Sequence, residues 1–246
     1  MANKKFRVLY DAPLTLTLTI FTALLFILDS LILKGKLSQA LFISYGTLSE
    51  KAFSPSNPLS YLRILLHVFG CAGWSTLLIN STFFLLIGTT LEDRYGSVIF
   101  GLMIFISTLV AGVIGIFCPL NMSGASPVIF MMIFLSAVSM ITKKNIQISW
   151  ILIFVFYTAY AMASALENNG PLIESRGLGK FLQSNIPTFI AIVSGIASSL
   201  FGFLSAPKEK SSRKDNYESY EEDYPAKKGR RKSNRNDDEV VGSIRF

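Results

Sequence analysis

Between residues 12 and 205 the chain alternates long apolar stretches with short polar breaks. A window of about 20 residues, the length that crosses a bilayer as a helix, marks six stretches: about Ala12–Leu33, Trp74–Leu91, Val98–Cys118, Pro127–Thr142, Ile146–Leu166 and Pro187–Leu204. The first follows Lys4, Lys5 and Arg7 as a signal peptide would. It is too long for one, contains Asp29 and lacks a small-x-small cleavage site, so an uncleaved anchor is expected. No internal repeat is evident, which argues against an inverted-repeat transporter.

Composition agrees with the pattern. Hydrophobic residues make up 51% of the 246, and 20 of the 39 charged residues fall within 208–246. The other 207 residues carry 19 charges, about 9%, against roughly 25% in soluble domains. A soluble fold is excluded for most of the chain, and an all-α multi-pass membrane protein is expected. Its parts are residues 1–11 as a cytoplasmic N-terminus, 12–205 as the membrane domain and 206–246 as a charged, disordered cytoplasmic tail. The net charge of +7 does not point to nucleic acid, because 12 of the 23 basic residues lie at span boundaries and loops, where membrane topology accounts for them. One histidine (His67) and two cysteines (Cys71, Cys118), with no clustered carboxylates, make neither a metal site nor a disulfide framework. No metal or cofactor is expected.

Lysine and arginine set the orientation. With the N-terminus inside, 17 basic residues are cytoplasmic and six are outer: Lys34, Lys36, Lys51, Arg63, Arg176 and Lys180. The tight loops Glu92–Ser97 and Lys143–Asn145 place Arg94, Lys143 and Lys144 on the cytoplasmic side, so both termini are expected there. The segment Lys34–Leu66 is too long for a plain connection. Its apolar pieces, broken by Pro55 and Pro58, suit a helix lying partly in the outer interface. The tail carries KKGRRK at 227–232 beside EEDY at 221–224. That basic cluster suits anionic lipid headgroups; a merely solvated tail is the plainer reading.

The most informative local feature is Pro119–Pro127, PLNMSGASP. Ser126-Pro127 reads as a helix start, with serine as cap and proline at the first helical position. From Pro127 to Lys143 the helix covers roughly 24 Å at 1.5 Å per residue, less than the roughly 30 Å hydrocarbon core. Ser126 should therefore lie beneath the outer surface, with the preceding loop buried among other helices. Irregular backbone is tolerated there only inside protein or beside a water cavity, which makes the place a site candidate. Asn80, within an apolar span, reads otherwise as interhelical glue, and Glu92-Asp93-Arg94 as a cap.

Arg63, Phe69, Gly73, Trp74, Leu77, Asn80, Gly88, Glu92 and Gly96, together with Gly124-Ala125-Ser126, resemble the motifs of the rhomboid superfamily of intramembrane serine proteases. The resemblance covers about residues 10–205 and implies a six-helix rhomboid-like bundle with a buried loop before the fourth span. It places Ser126 at the nucleophile position, and Asn80 and Thr76 at the oxyanion positions. Thr76 stands where the family has its second histidine of that span, and Cys71 where it has the first. The family's catalytic histidine lies on the sixth span. Aligning the small residues Ala191 and Gly195 puts Thr188 at that position, and aligning the preceding loop puts Asn185 there.

Neither residue accepts a proton at neutral pH, and an alcohol is a poor nucleophile without a neighbouring base. A lost oxyanion donor raises the barrier by about 2.7–4 kcal/mol, and a lost base lowers the rate by about 10⁴ or more. Read along one helix, His67 lies roughly 20 Å from Asn80, too far to substitute, and Lys180 would have to supply a Ser-Lys dyad. The expected function is that of a catalytically inactive rhomboid binding transmembrane segments of client proteins. The alternatives are an active intramembrane serine protease cleaving single-span proteins and an unrelated small transporter. The transporter needs a charge facing a pathway. Asp29 is the one candidate, and pairing with Lys34 explains it more simply. Glu92 is expected to tie its span to neighbours, with Arg94 as the nearest partner.

Overall fold

The computed structural model describes residues 12–142, 147–174 and 176–205. The expected N-terminal segment and tail, and the basic loop Lys143–Asn145, lie outside the described residues. Within them the fold is helical: α1 (Pro13–Leu33), α2 (Pro58–Phe69), α3 (Trp74–Tyr95), α4 (Ser97–Gly115), α5 (Ser126–Thr142), α6 (Ile148–Asn169), α7 (Leu178–Ser184) and α8 (Ile186–Ser205). Among the described residues five helices, α1, α3, α4, α6 with its continuation to Leu172, and α8, are long and apolar enough to cross a membrane. The expected fourth span, α5, is shorter: 17 residues, about 26 Å.

The short helix is the most enclosed of the described helices. Val128, Ile129, Phe130, Met131, Met132, Ile133 and Leu135 are fully buried, so α5 is covered all round, as a helix apolar on every side requires. α8 covers one side with a face of small residues, Ala191, Gly195 and Ser199, all three buried. A Cβ built on Gly195 would come 2.8 Å from the Met131 amide nitrogen, so the two backbones are in direct contact. α6 covers another side through aromatic rings: Phe130, Phe134, Trp150, Phe154 and Tyr157 form a chain of edge and stacked contacts. Ile20, Leu24 and Leu31 of α1, and Ile151, Val155 and Phe156 of α6, face outward, as lipid-facing side chains do.

Two expected pairings are made differently. Asp29 does not rely on Lys34. Its carboxylate accepts the amides of Leu37 and Ser38, at 2.8 and 2.9 Å, and the Ser38 hydroxyl. Lys34 takes a left-handed turn (φ 50°) that brings the chain back over the end of α1, where an anionic acceptor for free amides is worth more than an exposed ion pair. Glu92 does not tie through Arg94, whose guanidinium lies 5.6 Å over the Tyr95 ring. It reaches α1 instead, accepting the amides of Leu14 and Thr15.

The Lys34–Leu66 segment holds one helical turn at Ser38–Phe42 and then α2. Asn57 starts α2, its side chain accepting the Leu59 amide at 3.0 Å ahead of Pro58, which is the preferred chemistry of a helix start. Arg63 closes the segment, donating from Nε to the Ala40 carbonyl (2.9 Å) and lying over the Tyr45 ring.

Candidate functional site

Two departures from helical geometry build the site. Between α2 and α3 the chain runs Gly70-Cys71-Ala72-Gly73, with Gly70 at ψ 134° and Gly73 fully extended. A continuous helix would carry His67 far from Asn80. The break lets both line one cavity, so spacing along a single helix does not describe how they are placed.

The second departure is the Pro119–Ala125 loop ahead of α5. Ser44 and Met122 exchange both backbone hydrogen bonds at 2.9 and 2.8 Å, and the Thr47 amide donates to the Cys118 carbonyl at 2.9 Å. The Gly46 amide donates to Asn121 Oδ1 at 3.1 Å, and the Gly124 amide donates to the His67 carbonyl at 2.8 Å. Gly124 sits at φ +114°, a backbone region open to glycine and strained for other residues. Protein neighbours thus satisfy irregular backbone next to the most buried helix.

Ser126 is the first residue of α5 rather than its cap. The Ala125 carbonyl accepts the Ile129 amide at 3.0 Å, so the helix closes one residue earlier than the sequence suggests, and the Ser107 hydroxyl holds the Pro127 carbonyl at 2.9 Å. Freed from capping, Ser126 Oγ accepts from the Tyr157 hydroxyl at 3.4 Å. Tyr157 comes from α6, packed edge-on against Phe83 and Phe130. Its hydroxyl also reaches Asn80 Oδ1 at 3.5 Å. One turn further, Tyr160 donates to Thr76 Oγ1 at 3.2 Å. Thr188, on α8, donates to the Ala161 carbonyl at 3.5 Å.

Ser126, Asn80, Thr76 and Thr188 therefore meet around one cavity of about 360 Å³. Asn185 does not line it. Its Nδ2 donates back to the Phe181 carbonyl at 2.8 Å, because the chain turns at Asn185 between α7 and α8. Of the two positions left open by the sequence, Thr188 is the one on the cavity. Lys180 lies apart, in a hollow with Gly170 and Phe181.

The cavity wall is polar without charge. Among the described residues it contains no Asp, Glu, Lys or Arg, and no three His, Cys, Asp or Glu side chains group there as metal ligands. His67 Nδ1 lies 2.8 Å from the Ile64 carbonyl. A carbonyl only accepts, so Nδ1 holds the proton and the lone pair is on Nε2, which is enclosed and has no hydrogen-bond partner. Burial pushes the His67 imidazolium down to about 4, against the pull of the Ile64 and Arg63 carbonyls. Burial also pushes the Cys71 thiol up to about 11, far from the range of a reactive thiolate.

Tyr160, on the cavity wall, and Tyr157, buried beside Ser126 and Asn80, are the residues that the sequence reading missed. The available signal was a pair of tyrosines three positions apart in an apolar span, whose hydroxyls need partners once buried.

The sequence model of the Rhomboid domain matches residues 58–205, more than half of the chain, from the start of α2 to the end of α8. No curated protein matches it. The matched region contains Ser126, Asn80, Thr76 and Thr188, and four of the five helices long enough to cross a membrane. The chain belongs to the rhomboid family and is an integral, multi-pass membrane protein.

Proposed function

We propose that this rhomboid-family protein is catalytically inactive and binds transmembrane segments of client proteins at the Ser126 cavity. The observation that carries this reading is Thr188. It stands on the cavity where the family's resemblance calls for a histidine, and its hydroxyl is turned to the Ala161 carbonyl. A threonine hydroxyl takes no proton from serine near neutral pH. Ser126 faces a tyrosine hydroxyl, and phenol, with an ordinary pKa near 10, is no base either. The scaffold around this chemistry is otherwise complete: the buried loop, the close α5–α8 contact and the Glu92 tie are all in place. A membrane domain of six spans counts α5 as the fourth, with both termini cytoplasmic and the basic tail suited to anionic lipid.

One observation favours the second reading, a serine-type intramembrane endopeptidase. His67 lines the cavity that Ser126 lines, in the tautomer with its lone pair on Nε2. Its enclosure and low basicity weigh against that role.

Fluorophosphonate labelling in native membranes tests the proposal, with Ser126→Ala as control and an active rhomboid protease alongside. The expected result is labelling of the protease and none of this protein above the Ser126→Ala background. Labelling that depends on Ser126 would show an activated nucleophile and refute the proposal.

A further inference from the structure

Residues 34–73 join the end of α1 to the start of α3, two helices long enough to cross a membrane, and therefore lie at one surface of the membrane domain. On that surface, and not on the wall of the Ser126 cavity, two cations converge on one aromatic ring. Lys51 Nζ lies 5.6 Å and the Arg63 guanidinium carbon 5.0 Å from the centre of the Tyr45 ring. Both side chains line the same small hollow, together with Ser44, Phe53 and Ser60. The ring is fixed at its outer end, where the Tyr45 hydroxyl donates to the Gln39 carbonyl at 2.8 Å.

Both cations have donors to spare. Arg63 uses Nε on the Ala40 carbonyl, and its two Nη groups have no acceptor among the described residues. Lys51 is exposed, and its ammonium has no carboxylate partner among the described residues. Glu50, the next residue in sequence, does not line the hollow. Two like charges brought together repel, and an anion shared between them replaces that repulsion with attraction. A guanidinium and an ammonium side by side suit phosphate oxygens, the first as a planar fork of donors and the second as a point charge.

The surroundings indicate where the phosphate comes from. Leu48 in the loop ahead of α2, and Leu59, Tyr61 and Leu62 on α2, are exposed. Apolar and aromatic side chains beside basic ones are the pattern of a segment lying in the headgroup layer. A soluble anion has no use for such an apolar margin, whereas the acyl chains of a lipid cover it.

We infer that Lys51, Arg63 and Tyr45 form a binding site for the phosphodiester headgroup of a membrane phospholipid. Ser44 of the hollow exchanges both backbone hydrogen bonds with Met122 of the loop ahead of α5, so a lipid bound here braces the segment on which that loop rests.

The test uses the full-length protein in an uncharged detergent and counts bound lipid by native mass spectrometry during titration. The probes are dioleoylphosphatidylglycerol, dioleoylglycerol, which has the same chains and no phosphate, and inorganic phosphate as competitor. The first phospholipid should bind roughly fivefold or more tighter than the first dioleoylglycerol. Lys51→Gln should weaken that first site roughly fivefold, the size of one basic residue at an anionic surface, and Lys51→Arg should restore it. Lys36→Gln removes an exposed lysine of the same segment outside the hollow, and should change the affinity by less than about twofold. Both positions are exposed, so Tm without lipid should match that of the unaltered protein. Equal retention of phospholipid and dioleoylglycerol would overturn phosphate recognition. Equal losses from Lys51→Gln and Lys36→Gln would leave only diffuse surface charge and overturn the site. Displacement of the lipid by millimolar phosphate would make the ligand a soluble anion and overturn the assignment to lipid.

Discussion

Oε2 of Glu92 accepts both the amide and the hydroxyl of Thr15, at 2.8 and 2.7 Å, across 77 positions of sequence. Oε1 accepts the Leu14 amide at 2.8 Å and the Ser97 hydroxyl at 2.6 Å. One carboxylate thus closes the first turn of α1 and joins it to the α3–α4 corner. Free amides at a helix start carry partial positive charge, so an anion there satisfies donors and opposes the helix dipole together. Gly88, one turn earlier on α3, allows the approach, since a Cβ there would come 2.9 Å from the Thr15 methyl.

Glu92→Ala leaves four donors without their acceptor. The expected cost is about 2–4 kcal/mol, read as a fall in Tm in detergent. Glu92→Gln, which keeps one carbonyl oxygen as acceptor, should fall less. Equal Tm values for all three proteins would contradict the role given to this carboxylate.

Gly195→Val places a branched side chain where a Cβ already meets the Met131 amide nitrogen and the Phe130 Cβ at 2.8 Å. Backbone cannot yield as a flexible side chain can, so the loss should be about 3 kcal/mol or more. Val193→Leu, on the outward side of the same helix, should stay within about 0.5 kcal/mol. Thermal stability of the two variants side by side reads the difference.

The Ser126 loop depends on Gly124. Gly124→Ala keeps the amide that bonds to His67 but forces a Cβ into φ +114°, at about 1–3 kcal/mol. The loop should loosen before the helices do. A cysteine placed at Ser123 should react faster with a maleimide in the Gly124→Ala background than alone, and an unchanged rate would show that the glycine is not needed for the turn.

His67 gives the protein a pH dependence of known sign. Its imidazolium is held down to about 4 in the fold, against 6.5 for an unperturbed histidine. Between those values the unfolded chain binds a proton that the folded chain refuses, so stability present above about pH 6.5 is lost as the pH falls toward 4. Tm should therefore drop on acidification through that window, and His67→Phe should drop less. A variant with the same slope as the unaltered protein would place the acid sensitivity elsewhere.

The helices were legible in the sequence because their apolar lengths are set by the bilayer, and α1, α3, α4, α6 and α8 lie close to where hydropathy put them. Ends were less legible. α3 runs on to Tyr95 because Gly96 (φ +80°), not the first charged residue, stops it. Ser126 was readable as a candidate from the short helix that follows it, but Asn80 and Thr76 could be joined to it only through motif resemblance, since no periodicity brings positions 76, 80 and 126 together. The place of His67 on the cavity was not legible for a physical reason: spacing along a helix says nothing once Gly70–Gly73 breaks it. Asp29 and Glu92 were assigned to the nearest cations, whereas both take backbone amides. A chain reversal at Lys34 brings the amides to Asp29, and the packing of α1 on α3 brings them to Glu92; neither leaves more than a faint trace in a linear sequence.

Co-reconstitution with a single-span peptide, followed by intact-mass analysis of what co-purifies, tests binding without cleavage most directly. The account predicts that the peptide is retained at its full mass by the unaltered protein and by Ser126→Ala alike. Truncated peptide produced by the unaltered protein and absent with Ser126→Ala would contradict it.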